Sequence, residues 1–241
     1  MKARPWARRA TRRRCPRIRA IAFTGFSDEA SAFYERLTAD NSRTFWLANK
    51  ATYERVVRDP MLALLDELAA FGPFSVFRPY RDVRFAKDKT PYKEHIGAYG
   101  ESDGGAGHYV QLSATAMFAG SGYYDMASDQ LQRFRSAVDS GATGQELVAL
   151  CADAEKRGLK LGAMSELKTA PRGFPKDHPR IAILRRKGLV TSKDWPLAKW
   201  MHTKEVVTRV RDVWLAAADV NEWLNAHVGP STLPPADALE T

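Results

Sequence analysis

The stretch "HIGAYGESDGGAGHYVQLSATAMFAGSGYY", His95–Tyr124, decides the fold. Three runs, "HIGAYG", "HYVQLSAT" and "MFAGSGYY", are parted by the Gly-rich turn "ESDGGAG" and by a short corner near Thr115. Runs of this composition between glycine-rich breaks read as strands. An antiparallel meander is the simplest way to connect them.

Immediately upstream, "SVFRPYRDVRF" alternates with period two. Val76, Arg78, Tyr80, Asp82 and Arg84 fall on one face, and Phe77, Arg81, Val83 and Phe85 on the other. Pro79 makes it an edge strand or a broken one. Further upstream the spacing is helical. Ser27 is a suitable N-cap, Asp28 and Glu29 suit the positive end of a helix dipole, and Ala30, Phe33, Tyr34 and Leu37 recur on one side. A second helix is expected from about Arg43 to Val57, with Trp46, Leu47, Tyr53, Val56 and Val57 on its apolar side. A third begins at Pro60, buries Leu64, Leu65 and Leu68, and stops at Gly72-Pro73.

Downstream of the meander the pattern is helical again, over Asp129–Val138 and Gln145–Lys156. "LKTAPRGFPKDHP" interrupts it before Ile181–Lys187. A final run from Thr203 to Val228 places Val206, Val210, Val213, Trp214, Leu215, Trp223 and Leu224 toward the core. The sum is an α+β domain: an antiparallel sheet of about four or more strands, flanked by N-terminal and C-terminal helices. The domain is expected over residues 23–228, between a basic tail (1–22) and a C-terminal tail (229–241), both read as disordered.

The net charge of +9 points toward nucleic acid only if it is spread over the fold. It is not. Lys2, Arg4, Arg8, Arg9, Arg12, Arg13, Arg14, Arg17 and Arg19 precede the first acid, Asp28, and leave 28 basic against 28 acidic residues. The imbalance belongs to the tail, where residues 2–19 could bind a polyanion such as nucleic acid. Two other readings of the tail stand beside that one: a targeting segment, and a passive or start-site stretch. Cys15 and Cys151 have no partner spacing, which fits a reducing, cytoplasmic setting and gives no zinc or disulfide framework. No window holds eighteen uncharged apolar residues, so no membrane span is expected. Motifs for nucleotide cofactors, Walker loops, zinc hydrolases and serine hydrolases are absent, and the five His are scattered; no cofactor and no metal site is indicated.

Chemistry concentrates in "RDVRFAKDKTPYKEH", Arg81–His95. Arg84 can offer a planar fork to a carboxylate or phosphate, and Pro91 stiffens the loop before Tyr92 and Lys93. The expected ligand residues here are Arg81, Asp82, Arg84, Asp88, Lys89, Tyr92 and Lys93, around a small anion. The bland alternative is a set of internal ion pairs on a solvated hairpin. A second loop adds Lys168 and Arg172 as ligand residues and His178 as an acid or base; Asp177 and Pro179 equally suit a plain helix start. Tyr92 and His178 are the candidate proton carriers, and no nucleophile is identified. A third cluster, Asn41, Arg43, Trp46 and Lys50, reads as core for Trp46 rather than as a stacking platform.

"NSRTFWLANKATYE", "RDVRFAKDKTPYK" and "LKTAPRGFPKDHPRIAILRRK" together resemble a microbial family catalogued as domain of unknown function 2461. The resemblance spans roughly Phe23–Val228 and brings no established activity, substrate or cofactor. It marks Arg81, Asp82, Arg84, Asp88, Lys89, Tyr92, Lys93, Lys168, Arg172, Asp177 and His178 as polar motif positions, and it implies that the basic tail lies outside the domain. The expectation is that the Arg84–Lys93 and Lys168–His178 loops meet over one end of the sheet and bind a phosphate- or carboxylate-bearing ligand there, with or without catalysis. The alternatives are a nucleic-acid-binding module that stacks bases on Trp46 and Tyr92, and a structural protein with internal ion-pair networks.

Overall fold

The computed structural model describes residues 22–84, 87–102 and 104–233, so nearly all of the basic tail, Phe85 and most of the C-terminal tail lie outside it. Helix α1 (Asp28–Ala39) buries Ala30, Phe33, Tyr34 and Leu37 at the expected spacing. Helix α2 (Arg43–Tyr53) starts at Ser42, whose Oγ accepts the Phe45 N–H at 3.1 Å. Past Tyr53 the helix widens into a π turn, Glu54–Arg58, in which the Asp59 N–H reaches the Glu54 carbonyl five residues back. The chain then continues into α3 (Asp59–Glu67), where Pro60, lacking an N–H, has no bond to return to the preceding turn. Trp46, Tyr53, Val56, Val57, Leu64, Leu65 and Leu68 are buried as expected; Leu47 is instead exposed.

Strands β1 (Phe74–Val76), β2 (His95–Glu101), β3 (Gly107–Ser113), β4 (Ala116–Tyr123), β5 (Lys160–Gly162) and β6 (Leu189–Pro196) form one antiparallel sheet in the order β1-β2-β3-β4-β6-β5. The meander β2–β4 lies where the sequence places it. The rest of the sheet differs. The run expected over 75–85 keeps only β1, because Pro79 interrupts the ladder, and beyond it the chain returns to β-pairing only at a bridge between Tyr80 and Tyr92. The last third is not purely helical. Leu189, Thr191 and Trp195 are buried while Ser192 and Asp194 face outward, and this alternation seats β6 in the sheet beside β4.

Helices α4 (Ser128–Asp139) and α5 (Gly141–Lys156) follow β4. The expected helix over 181–187 is a single turn, α6 (Ile181–Leu184), and the final run divides at Ala217 into α7 (Glu205–Ala216) and α8 (Ala218–His227), leaving Leu215 exposed. Residues 229–233, placed in the tail by sequence, are tied to α4: Gln130 donates to the Gly229 carbonyl at 2.8 Å, and the Asp129 carboxylate accepts from Ser231 and Thr232. Among the described residues no helix is long and apolar enough to cross a membrane.

The core lies on one face of the sheet. On that face α1 brings Ala30 near Leu112, α7 sets Trp214 5.0 Å from the His108 ring, and α8 donates from Asn221 to Ser121 at 2.7 Å. His108 is 8% exposed, wedged between Phe71 and Trp214, with Nδ1 2.9 Å from the Ser121 hydroxyl. Burial pushes its pKa down to about 4. The unfolded chain, with a histidine near 6.5, binds this proton more readily, so stability is full above that value and falls as pH drops toward 4. Urea unfolding is expected to show a loss of about 3 kcal/mol across that interval beyond what the carboxylates account for, and His108→Gln is expected to remove that component. An unchanged profile in the variant would assign the acid sensitivity elsewhere.

Candidate functional site

Two of the three sequence blocks dock on each other. Asn41 pairs with the Tyr92 backbone like a neighbouring strand: its amide donates to the Tyr92 carbonyl at 3.0 Å, and its carbonyl accepts the Tyr92 N–H at 3.1 Å. The Tyr92 ring stacks on Trp46 at 4.5 Å and 13°, and Tyr80 closes the group, 5.5 Å from Tyr92 and 6.1 Å from Trp46. Trp46 is buried as expected, and Tyr92 is only 4% exposed. Neither offers a free ring face to a base, so the alternative of a module that stacks bases on these two rings loses its platform. Burial raises the Tyr92 hydroxyl above its ordinary pKa, with Tyr80 adding and Arg43 opposing, which suits an anchor better than a proton carrier.

Around the bridge, Arg81 N–H donates to the Pro91 carbonyl and Lys93 N–H to the Pro79 carbonyl, both at 2.8 Å. In such a pair the side chains of Tyr80 and Tyr92 share one side, and those of Arg81 and Lys93 take the other. Lys93 leads into β2, and His95, two residues on, keeps to the same side. The Lys93 ammonium lies 5.0 Å from the centre of the Phe77 ring. It has no carboxylate partner among the described residues. Burial, then Arg78, then Arg81 lower its pKa. His95 is lowered by burial, then by Lys93 and Arg81, with Glu94 opposing. Arg81, Lys93 and His95 therefore form one basic group on that side of the arm, and the positive charge of Arg78 acts on Lys93 as well. The group's only direct internal acid among the described residues is Asp88, bonded to Arg81.

The other candidates of this block are engaged locally. Arg84 grips Asp82 through Nε at 3.1 Å and Nη2 at 2.7 Å, and that hydrogen bonding lowers the Asp82 carboxyl to about 2. Lys89 donates to the Val83 carbonyl at 2.9 Å. Asp88 accepts from the Thr90 N–H and hydroxyl, both at 2.9 Å, and these bonds lower its pKa ahead of the Arg81 contribution. Sequence reasoning named neither Arg78 nor His95 as a ligand residue: Arg78 was assigned to a strand face, and His95 closed the charged stretch and opened a strand without a role of its own.

The second loop does not meet the first. Residues 78–94 lead into β2 at His95, which pairs with Ser113, the last residue of β3; β4 begins nearby at Ala116, opposite Pro196 at the end of β6. Residues 163–188 lie between Gly162, the end of β5, and Leu189, the start of β6, which pairs with Tyr123 at the far end of β4. The two loops leave opposite ends of the sheet, and β1 and β5 are its opposite edges. The expected convergence is overturned by this register. Lys168 and Arg172 are exposed on the second loop.

The "DHPR" segment, Asp177–Arg180, instead completes α4. Arg180 donates from Nε to the Val138 carbonyl at 2.6 Å and from Nη2 to the Asp139 carbonyl at 2.8 Å. Thr143 supplies the Ala137 carbonyl at 2.6 Å. These are carbonyls that the last turn of a helix leaves without partners, and a guanidinium also suits the negative end of the dipole. His178 is consumed as well: Nδ1 accepts the Arg180 N–H at 3.0 Å, and Nε2 faces the Asp139 carboxylate at 3.1 Å. Arg185 donates to the Leu167 carbonyl at 2.6 Å and Arg186 pairs with Glu166. The geometry leaves His178 no nitrogen for proton transfer and gives this block a bracing role.

A family model described as "Conserved hypothetical protein (DUF2461)" matches residues 29–223, from the first turn of α1 into α8. No curated protein matches the chain.

Proposed function

We propose that this chain, which belongs to the DUF2461 family, binds a phosphate- or carboxylate-bearing ligand on Arg78, Arg81, Lys93 and His95. The single observation that carries the reading is Lys93. It is a partly buried ammonium held beside two guanidiniums, with no carboxylate of its own among the described residues. Like charges kept together in this way destabilise the free protein, and a bound anion relieves that repulsion. Of the residues marked by sequence, Arg81 and Lys93 are retained as ligand groups; Asp82, Arg84, Asp88 and Lys89 are read as the brace that holds the loop, and Tyr92 as its anchor. No catalytic step is assigned.

The test separates a binding group from a structural one by sign. Lys93→Met removes a like charge while keeping most of the side-chain stem over Phe77. It is expected to leave the free protein as stable as before or more so, and to weaken inorganic pyrophosphate binding by about tenfold, the effect of losing one charge-assisted contact. Calorimetric titration at fixed ionic strength measures the affinity, and thermal unfolding measures the stability. A destabilised variant with unchanged pyrophosphate affinity would sink the proposal. In the wild-type protein the bound anion favours protonated His95, so affinity is expected to rise as pH falls below the ordinary histidine value of about 6.5.

A further inference from the structure

The face of the sheet turned away from α1, α7 and α8 has no helix packed on it among the described residues. Its central strands carry half-exposed rings there: Tyr99 pairs with Tyr109 across β2 and β3, and Gln111 pairs with Phe118 across β3 and β4. Phe77, 42% exposed, continues the same face at the β1 edge. The rings lean over glycines. A Cβ on Gly97 would come 2.5 Å from the Tyr109 hydroxyl, one on Gly107 2.2 Å from the Tyr99 ring, and one on Gly120 3.1 Å from the Phe118 ring. The rings are tilted to one another, by 36° between Phe77 and Tyr109 and by 59° between Tyr109 and Phe118. Phe77, Tyr109 and Phe118 follow one another at 6.2 and 5.9 Å between centroids, and the first of them carries the Lys93 ammonium.

A line of aromatic surfaces that begins at a cationic group matches a ligand with flat apolar rings strung on phosphates. Resting on the anion-site reading above, we infer that this face takes a short run of single-stranded nucleic acid. A backbone phosphate sits on Arg78 and Lys93, and bases stack on Phe77, Tyr109 and Phe118. Stacking of this kind accepts any base, because each has a π face, and it requires strands whose base faces are free; a duplex hides them. A small inorganic anion or an organic acid would use the cations and leave the aromatic line without a role. Gln111, held by the Tyr109 hydroxyl at 2.6 Å, stands beside the line as a polar contact for a base edge.

The test uses the full chain, a short fluorescein-labelled oligothymidylate read by anisotropy, and inorganic pyrophosphate read by thermal shift. Tyr109→Leu with Phe118→Leu is expected to weaken oligonucleotide binding by about tenfold or more while leaving the pyrophosphate shift intact, and Lys93→Met is expected to weaken both. Photocrosslinking of the wild-type protein to a bromodeoxyuridine oligonucleotide is expected to label peptides containing Phe77, Tyr109 or Phe118. Pyrophosphate stabilisation without oligonucleotide binding would overturn this inference and leave the anion site standing; failure of both would overturn both. Oligonucleotide affinity unchanged in the leucine variants, or crosslinks confined to residues 1–21, would assign the binding to the tail and overturn the role given to the sheet.

Discussion

Trp46→Ala is expected to lower the stability of the protein by about 3–5 kcal/mol, the range for deleting a large, fully buried aromatic side chain. Trp46 is 2% exposed and touches four rings: Phe33 of α1, Tyr53 at the end of its own helix, and Tyr80 and Tyr92 of the bridge. Its indole N–H has no acceptor among the described residues, and its ring makes these four contacts. Removing them leaves a cavity and also frees the strand-like arm that positions Arg81 and Lys93. Urea unfolding measures the first effect. Hydrogen exchange at Arg81 and Lys93, whose N–H groups are bonded across the bridge, measures the second. A loss below about 1 kcal/mol, or unchanged exchange at those two amides, would show that the arm is held by something other than Trp46.

Gly144→Ala is expected to cost about as much, roughly 3–5 kcal/mol, by a different route. Gly144 sits in the first turn of α5, against the end of α4. A Cβ there would lie 2.1 Å from the Val138 carbonyl oxygen and 2.6 Å from Arg180 Nε, which are themselves bonded to each other. The backbone oxygen cannot give way without moving α4, and moving Arg180 strands the carbonyls it caps. Overpacking and loss of the cap act together. Arg180→Ala removes the cap alone and is expected to cost less. Equal losses in the two single variants and in the double variant would show that the guanidinium is the whole of the effect.

The parts of the fold legible in the sequence were those written locally. Ala30, Phe33, Tyr34 and Leu37 repeat on one helical face, and the β2–β4 runs are separated by glycine-rich turns, so periodicity alone found them. Strand β6 was missed because Lys193, Asp194 and Pro196 dilute its alternation and helices stand on both sides of it. That one omission also explains the misplaced site. Without β6 nothing in the sequence says at which end of the sheet the 163–188 segment emerges, and two basic, proline-containing loops then invite being joined.

The cationic group was partly legible, since Arg81 and Lys93 stand out in a dense run of charges. Which charges remain available was not. Arg84 and Asp82 satisfy each other two residues apart, whereas Arg81 and Lys93 come to one side only because the bridge at Tyr80 and Tyr92 folds the chain back on itself. The partner that fixes the bridge, Asn41, lies 51 residues away from Tyr92, beyond the reach of any local pattern. The "DHPR" segment shows the same limit in reverse. A His, an Asp and an Arg together read as chemistry, and only the position of α4 reveals that their polar atoms are spent on its last carbonyls.

The wide turn at Glu54–Arg58 sets the angular phase between the two halves of the long helical run. Each residue of an α-helix advances the chain by about 100° around its axis, and the π turn absorbs one residue without the matching advance. Were the same residues wound as regular α-helix instead, the extra residue would turn Asn41 and Trp46 by about 100° relative to Leu64 and Leu65. Tyr92 would then face a different side of α2. A chain lacking the surplus residue would keep the same faces opposed with a plain α-helix, so the wide turn lets this segment differ in length by one without displacing the charged loop.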